Sequence, residues 1–536
     1  MASFLGSWLI LVVSTVGISL YHVITSRPTL LFISSVVALE VISFVVWAFY
    51  WVVLYPVYFT PFRNIPTPPN RKLLTGNLDE FFPDYQWQIA RNFYHTIPNN
   101  GLIRYYGGMS VERLLVTTPN ALRDMLTMNA YDFGQSSTFK LLVKRVTGST
   151  FSFTTDEVKV HRKHFMPAFT TTHIKEITYL FWDKCVQMTD GMEAQTHARP
   201  GVPISINDWG SRAALDNIGL AGMGYDFETL QKPDGELRRH YEKINVKPHK
   251  SLNWVGLLSN FMNLGLLLQI PFKKNREIAQ GAKYVRSVAS RVIHERKARL
   301  LASKGVTDRK DIISVALASG AFTPEQLVEY VMVFLSAGHE STAATFEWTI
   351  YELAQRPEMQ QRLRAELREF APKMDDINPT RLESLPYLNA VCSEALRFYP
   401  FTPMVVKVAE RDSTIVGEHI PKGTLVAYIP MATNRDKAFW GSDAEVFNPD
   451  RWMEPGKAKS GGATSNYAML SFSAGNRNCL GHAFARAELA CLVASIVGRF
   501  DILLANPETA GIVDAGQVTR SKAGVHVHLK PVDGWL

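Results

Sequence analysis

A cysteine near the C-terminal end of the chain stands in a segment that could support metal chemistry. Cys479 belongs to the sequence FSAGNRNCLG (residues 472–481), directly before an apolar stretch that predicts a helix at 482–498. A thiolate there faces the N-terminus of the helix, where unpaired N–H groups and the helix dipole favour negative charge. Because a lone cysteine is more often a small buried hydrophobe, the prediction of a ligand depends on its neighbours. These neighbours are Phe472, Gly475 for a tight turn, Arg477 as a fixed cation, and Gly481 for the close approach of a bulky group.

A second unusual motif lies in the middle of a long predicted helix. Thr323-Pro-Glu-Gln326 is typical of a helix start, with Thr as the N-cap, Pro at the first position and Gln three residues later. The helix is predicted to end at about Gln355 and contains AGHEST at residues 337–342. Glycine in mid-helix costs about 1 kcal/mol relative to alanine, and hydroxyl side chains bond back to earlier carbonyls and bend the helix. The acid and hydroxyls of this motif are Glu340, Ser341 and Thr342.

Hydrophobic periodicity predicts the framework that must position these residues. Helices are expected at residues 84–97, 120–128, 156–168, 174–194, 275–302, 323–355, 356–370 and 385–397. Short strands are expected at residues 102–106, 111–117, 404–408, 413–416, 425–429 and 525–529. Residues 131–155, rich in Phe, Ser and Thr, predict irregular structure.

The bulk composition narrows the class of protein. The chain has 536 residues, 46% of them hydrophobic, which suits one large domain or several small ones. Its net charge of +8 is compatible with nucleic acid, an anionic membrane or an acidic protein partner. No long run of Lys and Arg occurs, so no nucleic-acid partner is expected. The cysteines form no C-x-x-C pair, which argues against a disulfide framework and against a zinc site.

The first 60 residues predict a membrane anchor. Apolar runs extend from Phe4 to about Tyr21 and from Thr29 to about Tyr58, and the charged side chains of this region are Arg27 and Glu40. The second run exceeds the roughly 20 residues that a spanning helix needs. The first run is compatible with a second span, a signal peptide or an interfacial helix, although it lacks the positive n-region of a cleaved signal. One or two transmembrane helices are therefore expected.

Charge and proline content define the expected domain boundaries. Arg63, Arg71 and Lys72 follow the second run, so the positive-inside tendency predicts a cytosolic C-terminal part. The following PFRNIPTPP cannot continue a helix and forms a stiff connector. The expected organisation is a membrane anchor at 1–60, a proline-rich hinge at 61–70 and a catalytic domain at 71–536.

The cysteine segment, F-x-x-G-x-R-x-C-x-G, resembles the cysteine loop of the cytochrome P-450 superfamily of haem-thiolate monooxygenases. AGHEST resembles the motif A/G-G-x-D/E-T-T/S of that family's long central helix, with Ser341 where the family usually has Thr. The resemblance covers roughly residues 62–532 and implies a mainly α fold with a small β-sheet region. It implies haem b between the central helix and the loop, with the Cys479 thiolate as the axial iron ligand. It also implies that Glu340, with Ser341 or Thr342, delivers protons, and both hydroxyls remain candidates.

Further cofactor contacts follow from the same resemblance. Phe472, Gly475, Arg477 and Gly481 would complete the cofactor-binding loop. Arg162 matches the Arg of the family's W-x-x-x-R helix motif and is expected to pair with a haem propionate. Val158 stands where the family has Trp, which removes one expected N–H donor. Lys407 falls where the family often has a propionate-binding Arg.

A structural triad and a substrate region are also implied. Glu394 and Arg397 share one predicted helix face, and with Arg451 they resemble the family's E-x-x-R plus P-E-R-F triad. That triad ties the meander region to the haem-binding core and has no catalytic role. The residues expected to border the substrate are Phe139, Phe151, Phe153, Phe334, Ala337, Met404, Val405 and Thr519.

The implied function is that of a membrane-anchored monooxygenase of the endoplasmic reticulum with a cytosolic catalytic domain. It would insert one oxygen atom from O2 into a hydrophobic substrate by hydroxylation or epoxidation. NADPH and flavins would act only through NADPH-cytochrome P-450 reductase, with cytochrome b5 as a second candidate donor. The reductase would dock on a basic proximal face for which Lys159 and Lys163 are candidates. The anchor is similar to that of fungal microsomal members that modify specialised (secondary) metabolites.

Other functions stay open from the sequence. A fatty acid or a sterol is the alternative class of substrate. A haem-thiolate isomerase or dehydratase would need neither O2 nor a reductase, and members of that kind tend to lose the acid–alcohol pair. A non-catalytic haem carrier or sensor would need no polar kink in the central helix. The presence of Glu340 and Ser341 favours the monooxygenase over both of these classes.

Overall fold

A mainly helical domain with small β-sheets forms the described part of the chain. The computed structural model describes residues 17, 30–73, 75–77, 86–148, 155–244, 273–302, 311–511, 513–514 and 518–532. Its helices are α1 Leu30–Phe49, α2 Gln86–Thr96, α3 Pro119–Arg123, α4 Ser137–Thr147, α5 Thr155–Phe165, α6 Thr171–Ala198, α7 Ile206–Met223, α8 Glu236–Ile244, α9 Lys273–Ala302, α10 Ile312–Ala318, α11 Pro324–Ala354, α12 Pro357–Phe370, α13 Pro386–Phe398, α14 Pro430–Thr433, α15 Lys437–Trp440, α16 His482–Arg499 and α17 Pro507–Ala510. Its strands are β1 Leu102–Tyr106, β2 Glu112–Val116, β3 Phe133–Gln135, β4 Ile204–Ser205, β5 Val405–Ala409, β6 Ser413–Ile415, β7 Glu418–Ile420, β8 Leu425–Tyr428, β9 Phe500–Leu504, β10 Val513–Asp514, β11 Arg520–Ser521 and β12 His526–Pro531.

The long helix α11 runs through the core of the domain. It starts at the predicted capping box, in which Thr323 and Gln326 each bond the other's backbone N–H through their side chains. Apolar side chains on most of its surface pack against α7, α9 and α16. Because α16 begins directly after the Cys479 loop, this packing brings the loop and the AGHEST motif into one part of the fold.

The largest sheet supports the other end of the site. Its five strands lie in the order β1-β2-β8-β5-β3, with β2 and β8 parallel and the other neighbours antiparallel. Lys407 on β5 lies opposite Val426 on β8 and Gln135 on β3. A second sheet has three strands in the order β4-β12-β9, and β12 is the last strand of the chain that the structure describes.

Most predicted elements are confirmed within a few residues, with one clear error between residues 131 and 155. The predicted irregular segment contains strand β3 and helix α4. Ser136 caps α4, because its hydroxyl accepts a hydrogen bond from the Phe139 amide. The prediction failed because Ser and Thr are common in loops, yet at this position Ser136 acts as a helix cap. Residues 149–154, with Phe151 and Phe153, lie outside the described residues.

The second apolar run forms a helix that changes geometry before it ends. Helix α1 continues as a π-helix at Tyr50–Phe59, which contains Pro56. Among the described residues, one helical segment, Glu40–Phe59, is long and apolar enough to cross a membrane. The first apolar run lies outside the described residues apart from Gly17.

Candidate active site

The loop that carries Cys479 is closed by its own backbone. The Cys479 amide donates a hydrogen bond to the Phe472 carbonyl at 2.8 Å, and a 3-10 turn at Gly475–Arg477 lies between them. The Phe472 ring packs against the main hydrophobic core. Gly481 is the N-cap of α16 and has no capping side chain. Cys479 therefore lies just before the N-terminus of a long buried helix.

The two glycines of this loop have different reasons to be glycine. Gly475 has a φ of +69°, and a Cβ at that position would lie 2.0 Å from the Leu126 carbonyl oxygen. A larger residue would therefore push the loop away from the π-helical turn that contains Leu126. Gly481 has a φ of −88°, and its nearest protein neighbour would be Phe169 at 3.7 Å from a Cβ. The surrounding protein would therefore accept a Cβ at Gly481 without a clash. The role predicted for this glycine, the close approach of a bulky group, stays a prediction.

Cys479 differs from the other cysteines of the chain in its surroundings. It is exposed, whereas Cys185, Cys392 and Cys491 are buried, and all are free thiols. The protein around the thiol still desolvates it and raises its pKa, while the Gly481 N–H and the charge of Arg162 lower it. An accessible thiol with these donors beside it can act as a metal ligand once it is deprotonated.

Arg162 of α5 holds the cysteine loop directly. Its guanidinium donates to the backbone oxygen of Asn478 at 2.7 Å and to the Asn478 side-chain oxygen at 2.7 Å. This forked pair fixes the residue before Cys479 against α5. Contact between Arg162 and a haem propionate stays a prediction.

A buried lysine and a half-buried arginine of the loop interact electrostatically. Lys407 is 9% exposed, and burial together with the charge of Arg477 lowers its pKa to about 8. Arg477 donates to the Phe133 carbonyl at 2.9 Å, and burial lowers its pKa as well. The nearby Glu410 favours both charges but is itself paired with Lys140 at 2.8 Å. An anionic group between Lys407 and Arg477 would relieve their repulsion.

The middle of α11 carries a series of hydroxyls that bond back to its own carbonyls. Ser341 donates to the Ala337 carbonyl at 2.7 Å and Thr342 to the Gly338 carbonyl at 3.2 Å. Ala337 is exposed, whereas most of this helix is buried. At Gly338 a Cβ would lie 3.1 Å from the Ile218 side chain of α7, so the glycine also permits close helix packing.

Glu340 has a cationic partner that the sequence analysis missed. Arg520 of β11 approaches its Oε2 atom at 2.9 Å. The second carboxylate oxygen, Oε1, is buried and has no hydrogen-bond partner among the described residues. Burial raises the pKa of Glu340, and Arg520 lowers it. A carboxyl group in this state can accept or release a proton with little change in its position.

The predicted triad forms a buried network around one carboxylate. Arg397 donates to Glu394 at 2.8 and 2.6 Å, and both side chains are fully buried. Arg451 approaches the same carboxylate at 3.3 Å, and the Trp452 indole N–H lies at 3.0 Å. Arg397 also donates to the Asn434 carbonyl at 2.8 Å. The network fixes α13 to the segment that leads to the cysteine loop, which is a structural role.

Known proteins match most of this sequence. The family described as Cytochrome P450 matches residues 66–523. The chain belongs to the cytochrome P450 family. Cytochrome P450 monooxygenase FSL4 of Gibberella zeae is 45% identical to it over 99% of this chain and 100% of the relative. Cytochrome P450 monooxygenase sphH of Aspergillus fumigatus is 42% identical over 91% of each chain. Cytochrome P450 monooxygenase ptmK of Penicillium ochrochloron is 33% identical over 90% of this chain and 96% of the relative.

Membership makes this P450 an oxidoreductase with a haem whose iron is held by a cysteine thiolate. The residues present fit that group. Cys479 is the exposed cysteine of the chain, and the charge of the half-buried Arg477 disfavours the charged form of the buried Lys407, with Glu410 the anion that favours both charges. The carboxylates of a haem would supply further negative charge there.

Glu488 is a second residue that the sequence analysis missed in this P450. It is fully buried on α16, and burial raises its pKa to about 8. Its Oε1 atom accepts a hydrogen bond from the Asn217 side chain at 2.9 Å, and the nearby Thr342 hydroxyl also lowers its pKa, while Oε2 is buried and has no hydrogen-bond partner in the described part of the chain. The available signal was an acid in the largely apolar stretch 482–498.

The predicted substrate-pocket residues lie in different environments. Phe334 belongs to an aromatic cluster, with Phe165 at 5.2 Å and Phe169 at 5.8 Å between ring centres. Thr519 is buried, and its hydroxyl donates to the Pro400 carbonyl at 2.6 Å. Phe139 is exposed on α4. Met404 and Val405 are half-buried at the start of β5. A substrate contact by any of these stays a prediction.

Proposed function

We propose that this P450 is a membrane-anchored monooxygenase that inserts one oxygen atom from O2 into a hydrophobic substrate by hydroxylation or epoxidation. The observation that carries the proposal is the arrangement around Cys479, an accessible thiol in a loop that also carries the half-buried Arg477, whose charge acts on the buried Lys407. We further propose that the substrate belongs to specialised metabolism, since the relatives at 45% and 42% identity are fungal monooxygenases. A fatty acid or a sterol is the alternative substrate.

Haem, once bound, supplies the chemistry that activates O2 with electrons from a reductase. The protein contributes position and charge. Cys479 would be the iron ligand. Arg162 donates to both oxygens of the neighbouring Asn478 and so fixes the position of the loop relative to α5. Lys407 and Arg477 bind the haem carboxylates. Gly475 keeps the loop pressed against the turn that contains Leu126.

Proton delivery is the task of the acid and hydroxyls of α11. Glu340 supplies the proton, and Arg520 keeps its carboxyl group oriented by the contact at 2.9 Å. Ser341 passes the proton on, because its hydroxyl is half-exposed and shares a helix face with the exposed Ala337. Positioned proton transfer contributes typically about 10²–10⁴-fold to a rate.

The membrane anchor and the partners belong to the same proposal. The anchor would comprise residues 1–60, the hinge 61–70 and the catalytic domain 71–536, with the catalytic domain on the cytosolic side of the endoplasmic reticulum. The apolar segment Glu40–Phe59 supports a span. NADPH-cytochrome P450 reductase would dock on the face that carries the exposed Lys159 and Lys163, with cytochrome b5 as an alternative electron donor.

The test combines a spectrum with product analysis in a host that supplies reductase. Cys479→Ala should abolish the red-shifted absorption band of the reduced CO complex, because that band requires a thiolate ligand. Wild-type membranes should form an oxygenated product that depends on NADPH and O2. An unchanged spectrum in the variant would contradict the assignment of Cys479 as the iron ligand. Turnover without NADPH or O2 would replace the monooxygenase with an isomerase or dehydratase.

A further inference from the structure

The last two turns of the apolar helix contact the catalytic domain through arginine side chains. Arg71 donates to the Val52 carbonyl, Arg104 donates to the Pro56 carbonyl at 3.3 Å, and Arg63 donates to the Tyr58 carbonyl. We name Arg63, Arg71 and Arg104 the arginine collar. Arg104 lies on β1 and Arg71 precedes that strand, so two of the three come from the globular part of the chain.

Two of the carbonyls that the collar binds belong to the end of the helix. Residues 50–59 form a π-helix, in which a carbonyl accepts from the N–H five residues on, so the helical partner of the Val52 carbonyl is the Val57 N–H and Arg71 is a second donor to it. Pro56 and Tyr58 lie in the last turn, where carbonyls have no partner further along the helix. Cationic side chains are also favourable at this end of the helix dipole. The collar therefore matches the chemistry of this helix end.

A second set of contacts fixes the collar to the sheet. Arg104 pairs with Glu112 of β2 at 3.2 Å, and the Thr60 hydroxyl donates to the same carboxylate at 2.8 Å. Arg71 donates to the Ser110 hydroxyl at 3.1 Å, and its guanidinium lies 4.2 Å from the centre of the Tyr106 ring. Glu112 is largely shielded, and burial raises its pKa while Thr60 and Arg104 lower it.

The burial of the helix itself agrees with these polar contacts. Val52 and Pro56 are buried against the protein, as Trp47 is, whereas Val45 and Val46 are 57% and 62% exposed and Val57 and Phe59 are 49% and 59% exposed. The last two turns are therefore packed on the protein through the face that carries Val52 and Pro56. The aromatic side chains Tyr50, Trp51 and Tyr55 lie at the start of these turns and contact each other. Such aromatic residues are typical of the membrane–water interface.

We propose that the membrane span ends at about Trp51 and that Val52–Phe59, although apolar, is docked on the β1–β2 hairpin by the arginine collar. This inference rests on the proposed membrane anchor. Residues 30–51 extend about 33 Å at the helical rise of 1.5 Å per residue, which matches a hydrocarbon core of about 30 Å. This span places Glu40 near its middle, where a charged side chain needs a polar partner. Charged guanidinium groups at Val52 and Pro56 are costly in hydrocarbon, so these turns lie in the headgroup region. The span and the catalytic domain would then move as one body.

The boundary can be tested by labelling introduced cysteines in sealed microsomes with a membrane-impermeant maleimide. Val45→Cys and Val46→Cys report on the proposed span, and Val57→Cys and Phe59→Cys report on the docked turns, where the wild-type side chains are 49% and 59% exposed. The native cysteines give little background, because Cys185, Cys392 and Cys491 are buried and Cys479 is the proposed iron ligand. We expect at least tenfold faster labelling at 57 and 59 than at 45 and 46.

The outcomes separate this inference from the anchor on which it rests. Protection at all four positions would overturn the boundary at Trp51 and leave the anchor intact. Fast labelling at all four positions would show that the helix is outside the membrane, and the proposed anchor would fail. Fast labelling confined to 57 and 59 supports the inference.

Docking of the helix by the arginine collar is tested with a spin label at Phe59→Cys in the full-length, haem-loaded protein. The double variant Arg71→Gln with Arg104→Gln should increase the mobility of the label, because it removes the donors to Val52 and Pro56. Arg123→Gln is the matched control, since Arg123 is exposed and lies outside the collar. The CO spectrum verifies that each variant is folded. Equal label mobility in the folded double variant and the control would overturn the proposal that the arginine collar docks the helix.

Discussion

Ser341 and Thr342 are neighbours with the same functional group in different surroundings. The Ser341 hydroxyl is half-exposed on the same helix face as Ala337. Thr342 is buried, and its hydroxyl contacts the Glu488 carboxyl group of α16. We therefore propose that the Ser341 hydroxyl serves the reaction and that the Thr342 hydroxyl, beside Glu488, contributes to the packing of α11 on α16. The sequence left both open, because the two residues differ only in what lies opposite them.

This difference predicts separate effects for the two single substitutions. Ser341→Ala should lower the product formed per NADPH and raise the peroxide released, with the haem spectrum and substrate binding unchanged. Thr342→Ala should leave the product ratio near the wild-type value and reduce stability by about 1–3 kcal/mol, the typical cost of an unpaired buried polar group. Product, peroxide and thermal unfolding measured on both variants check the assignment. A loss of coupling confined to Thr342→Ala would reverse the roles.

At the scale of residues, the sequence revealed side chains of unusual type but not the contacts between distant ones. Cys479 and Glu340 were recognised because a cysteine before a helix and an acid in an apolar helix are out of place. Arg520 was missed as the partner of Glu340, since a surface-type arginine in a short strand carries no local signal. Glu488 was missed for a related reason: its meaning depends on Asn217 and Thr342, which are remote in sequence.

At the scale of elements, α16 couples the cysteine loop to α11. Cys479 lies at one end of it, and Glu488 lies two turns inside, buried against α11 and α7. Because α16 is buried over most of its length, a shift of α11 would be transmitted to the loop. The Glu488 carboxyl group thus lies where three helices, α16, α11 and α7, meet.

Glu488 predicts a pH-dependent stability. Its folded-state pKa of about 8 lies above the usual 4.5, so the folded protein holds this proton and the unfolded chain releases it. Stability is then lost as pH rises toward 8, by about 2 kcal/mol between pH 6 and 8. Glu488→Gln should remove this loss. Thermal unfolding of the haem-loaded protein at both pH values, with the exposed Glu358→Gln as control, measures it. An equal pH effect in wild type and Glu488→Gln would contradict the prediction.

Elements were predictable where local chemistry agreed with the fold. Helix α11 has a capping box and a long apolar pattern, and its start was predicted to the residue. Helix α4 was missed because its sequence begins with Ser and Thr, which favour loops as often as caps. Strand pairing was not predictable, since the parallel contact of β2 with β8 joins residues that are about 300 positions apart.

At the scale of the whole molecule, charged side chains hold parts of the P450 together. The Glu394 network fixes α13 to the segment before the cysteine loop. The arginine collar fixes the apolar helix to the β1–β2 hairpin. The Glu394 network and the arginine collar each fix the relative position of two segments. Hydrophobic packing alone would fix that position less well, because apolar contacts are not directional. The family match over residues 66–523 covers the first of these joints but begins after the helix that the second one holds.

The collar bears on how a soluble form of this enzyme should be produced. Removal of residues 1–60 takes away Thr60, which donates to Glu112, and leaves Arg71 and Arg104 without the carbonyls they bind. A cut after residue 50 removes the proposed span and retains those partners. We expect the shorter deletion to give the higher yield of purified, haem-loaded protein and a higher unfolding temperature, and both deletions to leave the membrane fraction. Equal unfolding temperatures for the two forms would show that the docked turns add nothing to the stability of the soluble enzyme.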